Sequence, residues 1–271
     1  MRLWNGWGNE DSDLTMELSD GLRSLLEALV GPGTALSQAN LNEVISKVPD
    51  TRLDDHPLIK IDPETRVRHA RGQSLPDWLE MHSGNVDTFP DGVAFPESPE
   101  QVRELLAHAK ENNLIVIPYG GGTSVVGHIN PETSDKPVLT IDMGKMNAML
   151  GIDTESQLAT FGAGAPGPVV EEELKKHGYT LGHFPQSWEL STLGGWVASR
   201  SSGQQSLHYG RIENMFAGGT IETLNGTMTI PTIPASSAGP DVREMILGSE
   251  GRIGIITEVT VRITPLPEKE K

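Results

Sequence analysis

Residues 116–128 read VIPYGGGTSVVGH: an apolar run that ends in Gly120, Gly121 and Gly122 and passes at once into Thr123 and Ser124. Adjacent glycines lose much chain entropy on folding and contribute no side-chain packing, so their place after an apolar segment needs a cause. Backbone amides in such a turn can converge on an anion, and the two hydroxyls add donors. The segment has neither the Gly-Lys-Ser/Thr ending of a P-loop nor the spacing of a dinucleotide fingerprint. An anion cradle and a plain tight turn both fit it. A second run, GAGAPG at 162–167, has the formal Gly-x-Gly-x-x-Gly spacing. It lacks the acidic residue about 20 positions on that a nicotinamide dinucleotide site uses. Pro166 and Pro168 also delete amides, so it reads as a tight strand-to-helix turn. A third run, LGSEGRIGIIT at 247–257, sets Gly248, Gly251 and Gly254 ahead of an isoleucine-rich strand. A bulge and a close approach of backbone to a flat ligand both suit it.

The rest of the composition narrows the chemistry. The chain has 271 residues, a net charge of -16 and no cysteine. Thiolate nucleophiles, disulfides, Cys-based metal or iron–sulfur sites and a Cys-linked flavin are therefore excluded, and no metal ligands are assigned. The acidic balance argues against a nucleic-acid partner, which requires clustered Lys and Arg. A phosphate ligand would have to be held locally, by backbone N–H groups. No window approaches the ~20 apolar residues of a membrane span. The start, MRLWNGWGNEDSD, lacks the basic-then-apolar order of a secretory signal, so a cytoplasmic location is expected.

Certain elements must position these loops. Leu14, Leu18, Leu22, Leu25, Leu26 and Leu29 recur at helical spacing over 12–30, and GPG at 31–33 ends that helix. Residues 31–75 read as an irregular lead-in with one helix near 40–47. A strand at 92–96 then leads to a helix opened by Ser98, Pro99 and Gln101 as a capping box. The run at 114–118 is a buried strand by length and branching. This is a β-α-β unit with the triple glycine at the end of its second strand, where open α/β sheets favour ligands. Further strands are expected at 137–142, 158–164 and 254–264, and helices at 168–178, 192–203 and 240–246. A hairpin over 219–230 should turn at Asn225-Gly226. The fold class is α+β, with one sub-sheet over about 88–145 and another over about 150–265.

The order IPYGGGTSV, FPQSWELSTLGGWVASRSSG, GSEGRIGIITEVTVRITP resembles the FAD-binding (PCMH-type) domain of the vanillyl-alcohol oxidase flavoprotein superfamily, from about 88 to 267. LWNGWGNEDS near the start, SSAGPDVREMILGSEG and TPLPE narrow the resemblance to the alkyldihydroxyacetonephosphate synthase family. The resemblance implies an N-terminal extension (1–87), an FAD-binding domain (88–267) and a substrate-binding cap beyond this chain. It implies FAD with its pyrophosphate between the sub-sheets, held at Pro118, Tyr119, Gly120, Gly121, Gly122, Thr123 and Ser124, the glycines letting the backbone approach it. Gln186, Ser187, Ser191, Thr192, Gly195, Ser199, Arg200, Ser201 and Ser202 would line the flavin, with Arg200 offsetting phosphate charge. Glu250, Gly251, Ile253, Gly254, Ile255 and Ile256 would run along the isoalloxazine or ribityl chain. The glycine loop holds no His of the kind some relatives link to flavin, so the FAD is expected to be non-covalent. His128, His183 and His208 are expected to be polar surface or supporting residues. Family chemistry places the acid/base residues in the cap, so no catalytic residue is assigned.

The activity implied for the full-length protein is exchange of the acyl group of acyl-dihydroxyacetone phosphate for a fatty alcohol, through a flavin N5 adduct. Oxidation of a 2-hydroxy acid or alcohol on the same fold, and a non-catalytic flavin-binding module, stand as alternatives. The expected partner is a small-molecule substrate, with peripheral membrane contact and a homodimer as further expectations for the full-length protein. WNGWG is read as pinning the N-terminus to the body.

Overall fold

The computed structural model describes residues 2–11, 18–34, 37–234 and 237–268. Helix α1 (Asp20–Val30) starts where the Ser19 hydroxyl accepts from Leu22 N–H, and it buries none of its residues. Residues 12–17 of the expected helix, with Leu14, lie outside the described residues. Helix α2 (Leu41–Ile45) opens with a reciprocal box between Asn40 and Glu43. The stretch expected to be irregular then forms β1 (Ile59–Lys60) and α3 (Pro63–Arg68), and α4 (Leu75–Ser83) follows where no element was expected. These two helices are short and weakly periodic, but both carry legible starts. Asp62 and Ser74 cap them, each with a proline in the first two helical positions.

The first sheet adds β2 (Gly92–Ala94), β3 (Ile115–Tyr119) and β4 (Val138–Asp142), with helix α5 (Pro99–Glu111) crossing between β2 and β3. Its order is β1-β2-β4-β3, with β2 and β3 both parallel to β4. β3 is thus an edge strand with an exposed Ile115, not the buried strand its composition suggests. Helix α5 buries Val102, Leu105, Leu106 and Ala109. Its expected box closes one residue early: Gln101 accepts from Glu97 N–H at 2.7 Å.

The second sheet contains β5 (Met149–Asp153) and β6 (Leu158–Gly162). They are followed by α6 (Gly167–Lys176), β7 (Tyr179–Thr180), α7 (Leu193–Ser199), α8 (Ser206–Tyr209) and α9 (Ile212–Met215). Strands β8 (Phe216–Thr223) and β9 (Gly226–Ile230) form the expected hairpin, but Thr223 pairs with Gly226, so the turn is Leu224-Asn225, one residue before the expected Asn225-Gly226, and Gly226 opens β9 at φ +124°. Helix α10 (Arg243–Ile246), β10 (Ile255–Arg262) and β11 (Thr264–Pro265) complete the chain. The sheet order is β5-β6-β10-β8-β9, antiparallel throughout, while β11 pairs with β7.

Each sheet has its own core, and β10 joins them. Phe161, Leu174, Leu193, Trp196, Phe216 and Val259 are buried around the second sheet. Ile255, at the start of β10, packs instead with Leu105, Leu139 and Ile141 of the first. Arg103 on α5 reaches Glu222 on β8 at 2.8 Å, and Glu222 is wholly buried. A third cluster under α2 to α4 holds Val44, Val67, Met81 and Phe89, with Trp4 of the N-terminal segment packed on it. That contact gives the WNGWG segment the docking role expected of it.

Candidate cofactor-binding site

The carboxyl ends of β3 and β4 face the start of α7 and the turn before β10 across a cavity of about 370 Å³. Met143 N–H donates to Tyr119 O at 2.9 Å, fixing the ends of β3 and β4 together. Thr192 caps α7 through Gly195 N–H, while Gly194 and Leu193 donate to Ala163 and Ala165. The last turn before β10 holds Glu250 at φ +50° and Gly251 at φ +79°. A side chain at Gly251 would sit 2.8 Å from the Pro118 ring, so this glycine lets the turn reach β3.

The structure brings to this cavity all the expected site residues except Gln186, Arg200, Ser202 and Ile253. Gln186 and Ser202 are exposed, and Ile253 packs toward the second core. Arg200 ends α7 in the left-handed region, and its guanidinium is committed to Glu244 and to Glu213 at 3.7 Å. It is not among the residues that line the cavity. Residues not expected from the sequence also line the cavity, among them Met143, Ala163, Val125 and His128. Met143 and Ala163 follow strand ends directly, a position that could have flagged them.

The glycines turn out to serve the protein first. A Cβ on Gly120 would lie 2.4 Å from Thr192 Oγ1, and one on Gly121 would lie 1.9 Å from Leu190 O. One on Gly122, at φ +63°, would strike the Tyr119 hydroxyl. The missing side chains therefore point into the 190–192 segment and the Tyr119 ring, not toward a ligand. In GAGAPG the same holds: Gly164 lies against Met143 O and Gly167 against Trp188, as a packed turn requires.

The amides of this loop are what remain for a ligand. Among the described residues, the N–H groups of Gly120, Gly121, Gly122, Thr123 and Ser124 have no protein acceptor, and all five residues line the cavity. No Lys or Arg of the described residues lines it. An uncharged row of donors with hydroxyls at Thr123, Ser124, Ser191, Thr192, Ser199 and Ser201 suits a diphosphate beside a polyhydroxylated chain. The apolar faces of Ile255, Ile256, Ala163 and Trp196 suit a flat ring. The residues present therefore fit FAD.

Titratable groups around the cavity are few: Tyr119, His69 and His183 are buried, while His128 and Glu250 are not. Burial pushes the Tyr119 phenol up to about 12, so it stays neutral. His69 packs 4.7 Å from the Tyr119 ring, with Nε2 2.9 Å from Asp142 Oδ2 and Nδ1 2.7 Å from Thr65 O. His183 is buried, and desolvation lowers it to about 4. Its Nε2 lies 2.8 Å from Ser201 Oγ, so a neutral imidazole orients a cavity hydroxyl. The expectation of a supporting role fits His183. His128 instead lines the cavity, with Nδ1 3.3 Å from Ser124 Oγ and 3.9 Å from Glu250 Oε2.

Two joined α+β units with an amide-lined cavity at their strand ends define a flavin-nucleotide-binding domain. The chain belongs to the family described as FAD binding domain, which its residues 90–230 match, and shares the PCMH-type fold. It is 40% identical over 210 residues to alkyldihydroxyacetonephosphate synthase of Dictyostelium discoideum, covering 78% of this chain and 34% of that protein. It is 33% identical over 297 residues to the synthase of Caenorhabditis elegans, covering 99% of this chain and 50% of that one. A solved structure of alkyldihydroxyacetonephosphate synthase superimposes with a TM-score of 0.83 at 32% identity, over 99% of this chain and 55% of that chain. The chain thus spans half or less of the length of these curated relatives.

Proposed function

We propose that this chain is the cofactor-binding part of an alkyldihydroxyacetonephosphate synthase-like enzyme, which exchanges the acyl group of acyl-dihydroxyacetone phosphate for a long-chain alcohol. One observation carries the reading beyond FAD binding. The likeness to the synthase extends over nearly the whole chain, well outside the 90–230 match, and so takes in the N-terminal segment docked by Trp4. Residues 88–267 are the cofactor domain in this reading, and 1–87 the extension that braces it.

FAD, when bound, supplies the electron sink and reactive ring atom of the reaction. The chain's own residues bind and orient it. The 120–124 amides hold the diphosphate without placing a cation in the cavity. Ser201, fixed by neutral His183, and the α7 hydroxyls fix the ribityl and ring edge. The β10 start excludes water from one face. The FAD is held non-covalently, and acid/base groups come from outside this chain. A cytoplasmic location, peripheral membrane contact and a homodimer belong to the same proposal for the full-length protein.

The test is to incubate the natural gene product that carries this chain with acyl-dihydroxyacetone phosphate and radiolabelled hexadecanol. Label entering an alkyl ether of dihydroxyacetone phosphate, without net dye reduction, is the expected result. Dye reduction by a 2-hydroxy acid with no ether product would overturn the proposal in favour of an oxidoreductase.

A further inference from the structure

The carbonyls of the cradle loop are held from behind by the N-terminal segment. Ser124 O accepts from Gln73 N–H at 2.6 Å. Gly121 O accepts from the guanidinium Nη1 of Arg2. Arg2 is itself held in place. It bridges Asn9 in an antiparallel pair, and Leu3 N–H donates to Gly8 O at 3.0 Å. Its carbonyl accepts from Arg68 Nη1 at 2.8 Å, and Arg68 is anchored by Glu64 at 2.9 Å.

A trans peptide points its C=O and the following N–H in opposite directions. Holding Gly121 O from outside therefore turns Gly122 N–H the other way, and this amide is one of the unpaired donors lining the cavity. The guanidinium also polarises that peptide and strengthens its N–H as a donor. The charge matters because no Lys or Arg of the described residues lines the cavity, and Arg200 is committed elsewhere. Arg2 is thus a cation placed behind a diphosphate cradle on a chain of net charge -16.

We propose that Arg2 is a positioning residue for the cofactor's diphosphate, acting through the Gly121–Gly122 peptide. The inference rests on the FAD reading of the cavity. It makes the N-terminal segment part of the cofactor site although it lies more than a hundred residues from the glycine loop in sequence.

The test compares parent, Arg2→Met and Arg2→Lys chains. FAD and riboflavin, which lacks the phosphates, are titrated by flavin fluorescence, and each apo chain is melted. Arg2→Met is expected to weaken FAD about tenfold, the loss of one charge-assisted contact. Riboflavin affinity should hold, and Arg2→Lys should recover most of the FAD affinity. Unchanged FAD affinity in Arg2→Met would overturn the inference. So would equal losses for FAD and riboflavin, which would make Arg2 a prop for the fold alone. A parent chain that binds no FAD would overturn the cofactor reading itself, whereas a binding parent with an unresponsive Arg2→Met overturns this inference only.

Discussion

Gly121→Ala is the most direct challenge to the geometry of the cavity. The added methyl would meet Leu190 O at 1.9 Å, Leu190 C at 2.7 Å and Ser191 Cα at 2.9 Å, all backbone. No side chain can swing aside, so the glycine loop and the 190–192 segment must part by about 1 Å to reach even the 3.0 Å floor of real Cβ contacts. Overpacking of this kind costs about 1–3 kcal/mol. Moving Ser191 also drags Thr192, whose hydroxyl caps α7, and a lost cap adds about 1 kcal/mol. The expected total is about 2–4 kcal/mol, or a fall in Tm of roughly 5–10 °C for a chain of this size. Flavin affinity should fall as well, because the same parting opens the cavity. Urea unfolding of the apo chain and a fluorescence titration with FAD measure the two effects. Gly151→Ala is the control: nothing lies within 4 Å of its Cβ and its φ is not positive. It should be neutral or stabilising by about 0.5 kcal/mol. If Gly121→Ala unfolds within about 0.5 kcal/mol of the parent and keeps its flavin, the close approach of the two loops is refuted.

Three further outcomes are expected. His183 is lowered to about 4 from an ordinary 6.5, so the unfolded chain binds a proton that the folded chain refuses between those values. Its contribution is intact above pH 6.5 and drains as pH falls toward 4, by up to about 3 kcal/mol; His183→Gln should flatten urea stability across that window, and an unaltered slope would contradict the assignment. Arg66 is buried and donates to Pro90 O at 2.6 Å and Pro49 O at 2.7 Å, so Arg66→Met should cost about 1–3 kcal/mol in urea unfolding, chiefly by stranding the buried Pro90 carbonyl. Acid precipitation of the FAD-loaded chain should release all the flavin; colour kept in the pellet would point to a covalent link, with His128 the first residue to replace.

Much of the architecture was legible because it is written in local chemistry. Asn225-Gly226 marked its hairpin, Ser98 and Pro99 marked the start of α5, and Thr192 stands where the turn into α7 was expected. The glycine runs at 120–122 and 248–254 marked two of the site's segments and the family resemblance supplied the third, at 186–202, but the reason for the glycines was not legible. Sequence shows that a position lacks a side chain; only the fold shows what would have occupied that side chain's space. The same limit explains Arg200. The family resemblance implied a phosphate contact for it, yet its partners Glu213 and Glu244 come from α9 and α10, elements that no local pattern brings to the end of α7. β3 was read as a buried strand, yet apolar branched residues suit an edge equally well when one face is covered. Helices α3 and α4 escaped a periodicity test because each spans too few turns to repeat its pattern, although their caps were visible.

The glycine loop resolves a conflict that the composition sets up. A chain of net charge -16 repels a diphosphate at long range, and the ordinary remedy, lysines and arginines in the cleft, is missing from the described lining. Peptide N–H groups answer it because they are donors without net charge, effective only at contact. Their weakness is that a flexible loop would turn them to water as readily as to a ligand. Here the freedom is removed from three sides. Gly120 and Gly121 lie against residues 190–192, Gly122 lies against Tyr119, and Ser124 O and Gly121 O are held by Gln73 and Arg2. The entropy that the glycines lose on folding is spent before any ligand arrives, so the donors are ordered in advance and binding need not order them. Bare backbone at the end of β3 is needed because a preorganised amide cradle requires close packing behind it, and side chains would stand in the way.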